Sequence, residues 1–135
     1  MSEQADEEKA DALESMEKII AYCQNHLGCL ENYNGNLHTS LENFQKSLEI
    51  FFTNLGVGAI STGAITNNIG SVFYELKDTS QAIEFHRSAQ TIMKNFKNDK
   101  FVMMGDIYYN LGLDYLQKGD YSAALEFLKK ATEIY

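Results

Sequence analysis

The chain has no proline and no tryptophan, and only two cysteines and three histidines among 135 residues. Basic residues number 11 against 19 acidic ones. Each shortage excludes something. Proline breaks helix interiors, so its absence permits an almost wholly helical chain. Two cysteines, Cys23 and Cys29, with no secretory signal, argue for free thiols in a reducing compartment, read here as the cytoplasm. The opening MSEQADEEKADALES is acidic and lacks an apolar core, which excludes a secretory signal or transit peptide. No run of about 18 apolar residues occurs, so no segment reads as a membrane span. A net charge of −8 makes nucleic acid a poor partner, because phosphate binding needs a basic surface.

What is present is ordinary globular material: 44% apolar residues, enough to exclude disorder, in a length natural for one domain. The charge is uneven. Residues 1–18 carry seven acids and two lysines, so this head reads as a solvated helix start, frayed or disordered over residues 1–8. From Asp11 onward, Leu13, Met16, Ile20, Cys23, Leu27 and Leu30 form one apolar stripe at helical spacing, running to about Tyr33.

The organising stretch is Asn110 to Tyr135. It reads as two helices joined by Lys118-Gly119-Asp120, the second carrying Tyr121, Ala124, Leu125, Leu128 and Ala131 on one face. The stretch recurs with a period of 42 and no gaps. Gly112 matches Gly70 and Gly28, and Ala124 matches Ala82 and Ser40. Ala131 matches Ala89 and Ser47, and Asp120 matches Asp78 and Asn36. The three residues Asn36, Asp78 and Asp120 are helix N-cap formers in register, and Gln81 completes a capping box with Asp78. The spacing therefore predicts an acidic N-terminal helical extension over 1–16 and three helix pairs over about 17–55, 59–97 and 100–135, with breaks at Asn34-Gly35-Asn36, Gly56-Val57-Gly58 and Asn98-Asp99. Expected packing residues include Phe44, Leu48 and Phe51 or Phe52 in the first pair. Ala82, Ile83, Phe85, Ala89 and Met93 are expected in the second.

Tyr108, Leu111-Gly112, Tyr115, Ala124 and Ala131 resemble the tetratricopeptide (TPR) pattern of aromatic, Leu-Gly, Tyr, Ala and Ala. The 42-residue period exceeds the usual 34 and is similar to that of kinesin light chain and LGN-type repeats. The first copy departs most, with Gln24 and Glu31 where later copies have aromatics at the latter position, Phe73 and Tyr115. The resemblance implies an all-α right-handed superhelix of antiparallel helix pairs, a TPR-like α-solenoid with three repeats. It implies a non-enzymatic adaptor or scaffold, binding a protein or peptide in a concave groove lined by the first helix of each pair.

Carried over by position, the groove residues are Tyr22, Asn25, His26 and Tyr33 in the first repeat. They are Asn67, Asn68, Ser71 and Tyr74 in the second, and Tyr109, Asn110 and Leu113 in the third. By the same resemblance, Asn68 and Asn110 fill the slot of an asparagine ladder. A primary amide can satisfy one peptide unit's C=O and N–H together. His26 takes the slot in the first repeat. None of these positions is basic, so a carboxylate clamp is disfavoured.

Other constellations are weaker. Cys23, His26 and Cys29 spread over too wide a helical arc for one metal, and one of the cysteines is read as buried. His38 and His86 read as isolated surface or packing residues. No Gly-x-Ser-x-Gly and no phosphate loop occurs; the run Gly56-Val57-Gly58-Ala59-Ile60-Ser61 lacks the lysine and follows a helix. No cofactor or metal is expected. The alternative function is assembly. Repeats bury their cores against neighbours. With no polar capping helix after Tyr121 to Tyr135, either the chain is a piece of a longer protein or that end face packs on a second copy or a larger complex.

Overall fold

The computed structural model of the chain describes residues 2–54, 60–96 and 101–135. They form six helices: α1 Ser2–Tyr33, α2 Leu37–Asn54, α3 Ile60–Glu75, α4 Thr79–Lys94, α5 Phe101–Lys118 and α6 Tyr121–Ile134. Two compact units divide them, Met1–Val57 and Gly58–Tyr135. The breaks expected at Gly56-Val57-Gly58 and Asn98-Asp99 lie outside the described residues.

In the first unit α1 and α2 pair through small residues. A Cβ on Gly28 would stand 2.6 Å from the ring of Phe44, so only glycine lets that ring seat. Beside it, Ser40 Oγ donates to the Gly28 carbonyl at 2.6 Å and Ser47 Oγ to the Ala21 carbonyl at 2.7 Å. Both hydroxyls are buried and satisfied, which is why serine is tolerated where later repeats have alanine. Phe44 and Phe51 are fully buried, whereas Phe52 is exposed.

The second unit stacks α3 with α4, α4 with α5 and α5 with α6. Its core joins Ala89 and Met93 of α4, Met104, Ile107, Leu111 and Tyr115 of α5, and Ala124 of α6. Burying each of the large side chains contributes about 1.5–3 kcal/mol. The Gly28 arrangement recurs twice. A Cβ on Gly70 would lie 2.5 Å from the His86 ring, and one on Gly112 would lie 2.6 Å from Leu128.

Each pair turns in the same way. Gly35, Lys77 and Gly119 all have positive φ, at 84°, 66° and 90°. The next residue's N–H reaches back to a carbonyl five residues earlier: Asn36 to Glu31, Asp78 to Phe73, Asp120 to Tyr115. This left-handed C-cap satisfies carbonyls that the helix end would leave open.

Several expectations need correction. Asp78 and Asp120 do cap through their side chains, accepting from Gln81 N at 3.3 Å and Ala123 N at 3.2 Å. Asn36 instead donates its amide to Glu31 Oε2 at 2.7 Å, an acceptor the later turns lack. No capping box forms at Asp78, because its N–H is taken by Phe73. Helix α1 starts at Ser2, so residues 2–8 are helical. That region is rich in helix-forming Glu, Gln and Ala. Both cysteines are exposed, since the α1 face that meets α2 is Ala21 and Gly28.

Candidate functional site

The expected groove residues fall in both units. In the first, Tyr22 packs edge-on against Phe51 with centroids 5.4 Å apart, Asn25 is partly buried, and His26 and Tyr33 are exposed. In the second, α3 and α5 bring Asn67, Ser71 and Tyr74 beside Asn110 and Leu113, and Asn68 and Tyr109 lie on the same two helices. Amide bonds tie this wall together. Asn110 Nδ2 donates to Asn67 Oδ1 at 3.0 Å. Gln117 Nε2 donates to the Tyr74 carbonyl at 3.2 Å, and Gln117 Oε1 accepts from Thr79 Oγ1 at 2.6 Å. Asn67 is buried and Asn68 partly so. Side-chain amides thus fix the register of α3 on α5.

Between these helices opens a cavity of about 100 Å³, lined by Ser71, Tyr74, Glu75, Asn110 and Leu113, with His86 and Asp114 as its most buried members. His86 is not the isolated residue that the sequence suggested. Its ring lies over Gly70, and its Nδ1–H donates to Asp114 Oδ2 at 2.5 Å. Asp114 is fully buried, and its Oδ1 has no hydrogen-bond partner among the described residues. Burial pushes the Asp114 carboxyl above its ordinary value, while His86 pulls it part of the way back. One register step away, Arg87 bonds the Tyr115 hydroxyl through Nε at 3.2 Å and stacks over the ring at 5.6 Å.

Ser71 Oγ lies 3.5 Å from His86 Nε2. The connectivity Ser71, His86, Asp114 is that of a hydrolase relay. The rest of such a site is missing from this wall. Ser71 sits inside α3, where neighbouring backbone N–H groups are engaged in the helix and cannot form an oxyanion hole. Ser71 Oγ also lies 3.4 Å from the Asn67 carbonyl, its own helix's acceptor. The arrangement ties α4 to α3 and α5 and shapes a polar cavity.

Sequence reasoning missed His86 and Asp114, although the register held the signal. His86 stands where the other repeats have Phe44 and Leu128, and Asp114 where they have Leu30 and Val72. Two polar residues at otherwise apolar register positions, on adjoining helices, mark a buried pair.

A tetratricopeptide repeat family model matches residues 19–95 and a second matches residues 105–135. The chain belongs to the tetratricopeptide repeat family, whose fold is an all-α solenoid of helix pairs. Among solved structures it is similar to BtubC (BKLC) from P. vanneervenii, with a TM-score of 0.80 and 22% identity. That match covers 93% of this chain and 51% of BtubC, so the chain spans about half the length of that relative. It is also similar to the N-terminal domain of stress-induced protein-1 (STI-1) from C. elegans. There the TM-score is 0.68 and the identity 15%, covering 88% of this chain and 87% of that one. No sequence among curated proteins matches the chain. As a member of this family the chain is a protein–protein interaction module. No described helix is long and apolar enough to cross a membrane.

Proposed function

We propose that the chain is a cytoplasmic adaptor that docks a partner segment, extended or helical, on the wall formed by α3 and α5. Asn68 and Asn110 hold the partner's backbone, Tyr74 and Tyr109 supply contact area, and one partner side chain enters beside Asn110. The observation that carries this reading is the cavity of about 100 Å³ opening at Asn110 and lined by a buried histidine–aspartate pair. A concave site with a few convergent polar groups on rigid helices is where ligands bind. Tyr22, Asn25, His26 and Tyr33 offer a docking surface of their own within the first unit. So short a wall gives micromolar affinity for a free peptide.

The test is selection of peptides from a displayed random library, followed by titration calorimetry. Leu113→Lys places a charge on the wall at a partly buried site. It is expected to weaken selected peptides at least about tenfold, or about 1.4 kcal/mol, with helicity unchanged. Asn110→Ala should weaken them too. Binding that ignores both substitutions would remove the wall from the account.

A second reading, assembly, is favoured by a separate observation: α6 exposes Tyr121 and Leu125, one turn apart on one face. Exposed contiguous apolar surface marks an interaction site.

A further inference from the structure

The 42-residue register makes each helix a control for its equivalents. At four positions α1 carries Ile20, Cys23, Leu27 and Leu30, all exposed. The equivalents in α3 are Thr62, Ile65, Ile69 and Val72, all buried. Those in α5 are Met104, Ile107, Leu111 and Asp114, again all buried. The same side of the same repeat helix is therefore covered twice and bare once, and where it is bare it is apolar. Leu13 and Met16 continue the exposed stripe toward the N-terminus.

What covers this side is visible in the second unit. Helix α5 lays it against α4, and three polar contacts mark the fit: Thr79 with Gln117, His86 with Asp114, and Arg87 with Tyr115. The equivalent of α4 is α6. Its corresponding residues are Tyr121, Leu128 and Lys129, and those of α5 in α1 are Tyr33, Leu30 and Glu31. Each pair is chemically matched. Thr79 and Gln117 become two exposed tyrosines, the buried His86–Asp114 pair becomes Leu128 with Leu30, and Arg87 with Tyr115 becomes Lys129 with Glu31. Leu125 replaces Ile83, which packs against the same core.

We propose that a second copy of this chain covers the bare side of α1 with its α6, in a head-to-tail contact that repeats the packing of α4 on α5. The inference rests on the assembly reading and names the surface that α6 meets. The two surfaces are different, so the contact is heterologous and leaves a free α6 on one copy and a free α1 on the other. Charge selects the pairing. Lys129 flanks the α6 face and Glu31 the α1 face at equivalent register positions, so α6 against α6 would oppose like charges. The α1 extension lengthens the apolar strip available to the incoming helix.

The experiment is sedimentation velocity of the full chain across a roughly hundredfold concentration range. Four variants are compared: Leu27→Lys, Leu125→Lys, Lys129→Glu, and Lys129→Glu with Glu31→Lys. All four alter exposed or surface positions, and circular dichroism confirms their helicity. The parent's mass is expected to rise with concentration. Leu27→Lys and Leu125→Lys each remain monomeric alone. Mixed together they form a one-to-one dimer and nothing larger, because only one productive contact survives. Lys129→Glu weakens association about tenfold, and adding Glu31→Lys restores it. A dimer lost in Leu125→Lys but kept in Leu27→Lys would overturn the head-to-tail contact and leave assembly through α6 standing. A monomer at every concentration would overturn both.

Discussion

Breaking the His86–Asp114 pair from one side should cost far more than replacing both members. Asp114→Val would leave the His86 Nδ1–H buried without its acceptor at 2.5 Å, a loss of about 1–3 kcal/mol. His86→Leu would leave the Asp114 carboxyl fully buried with neither oxygen partnered, because Oδ1 has no partner already. Removing one member of a buried pair costs about 3–5 kcal/mol. The double variant places at both positions the residue types that other repeats use there, Leu128 for His86 and Val72 for Asp114. Replacement of a buried ionic pair by apolar residues of similar volume is often neutral, so it should lie within about 1 kcal/mol of the parent. Urea unfolding of the four proteins at neutral pH then gives a coupling energy of at least about 3 kcal/mol, because the single costs sum to about 4–8 kcal/mol and the double costs no more than about 1 kcal/mol. Additive costs would refute the buried-pair account. A pH arm adds a sign. The folded Asp114 carboxyl titrates above its ordinary 3.8, so the folded chain holds that proton more tightly than the unfolded one. This contribution is complete below pH 3.8 and is lost as pH rises through the raised value. The double variant should not show that loss, which appears as a difference between the two stability–pH curves.

Other expected outcomes concern the frame. Gly70→Ala would drive a methyl to within 2.6 Å of two His86 ring atoms and should destabilise by about 1–3 kcal/mol in the same unfolding assay. Lys77→Gly should stabilise by about 0.5–1 kcal/mol, because Lys77 is the non-glycine residue at the left-handed turn position, with φ of 66°; thermal unfolding reads it directly. Residues 2–17 of α1 are all exposed. Their amides should exchange with solvent far faster than those of α5 when the chain is dilute, as hydrogen-exchange mass spectrometry measures.

The helix-pair fold was legible because it depends on features a repeat makes visible. Gly28, Gly70 and Gly112 mark the sites of closest helix approach, and the period exposes them without any knowledge of contacts. Asp78 and Asp120 were legible as caps because a cap is local. Asn36 was misread because Glu31, five residues earlier, offers its amide a stronger, charged acceptor. The same residue type in the same register can therefore bond differently. The one cysteine read as buried was misplaced by the stripe that holds Cys23. Periodicity identifies an apolar face but does not say whether a neighbour covers it, and on α1 none of the described elements buries it. At the candidate site, Asn110 and Ser71 came from the family resemblance, carried over by register. His86 and Asp114 came only from the structure, since they lie 28 residues apart on different helices.

The most direct test of the central claim, docking on the wall of α3 and α5, is a two-dimensional amide NMR titration of labelled chain with a library-selected peptide. The account predicts shift changes concentrated at Asn67, Asn68, Ser71, Tyr74, Asn110 and Leu113, including the side-chain amide of Asn110. Shifts confined to α6 or to the stripe of α1, with the wall undisturbed, would contradict it.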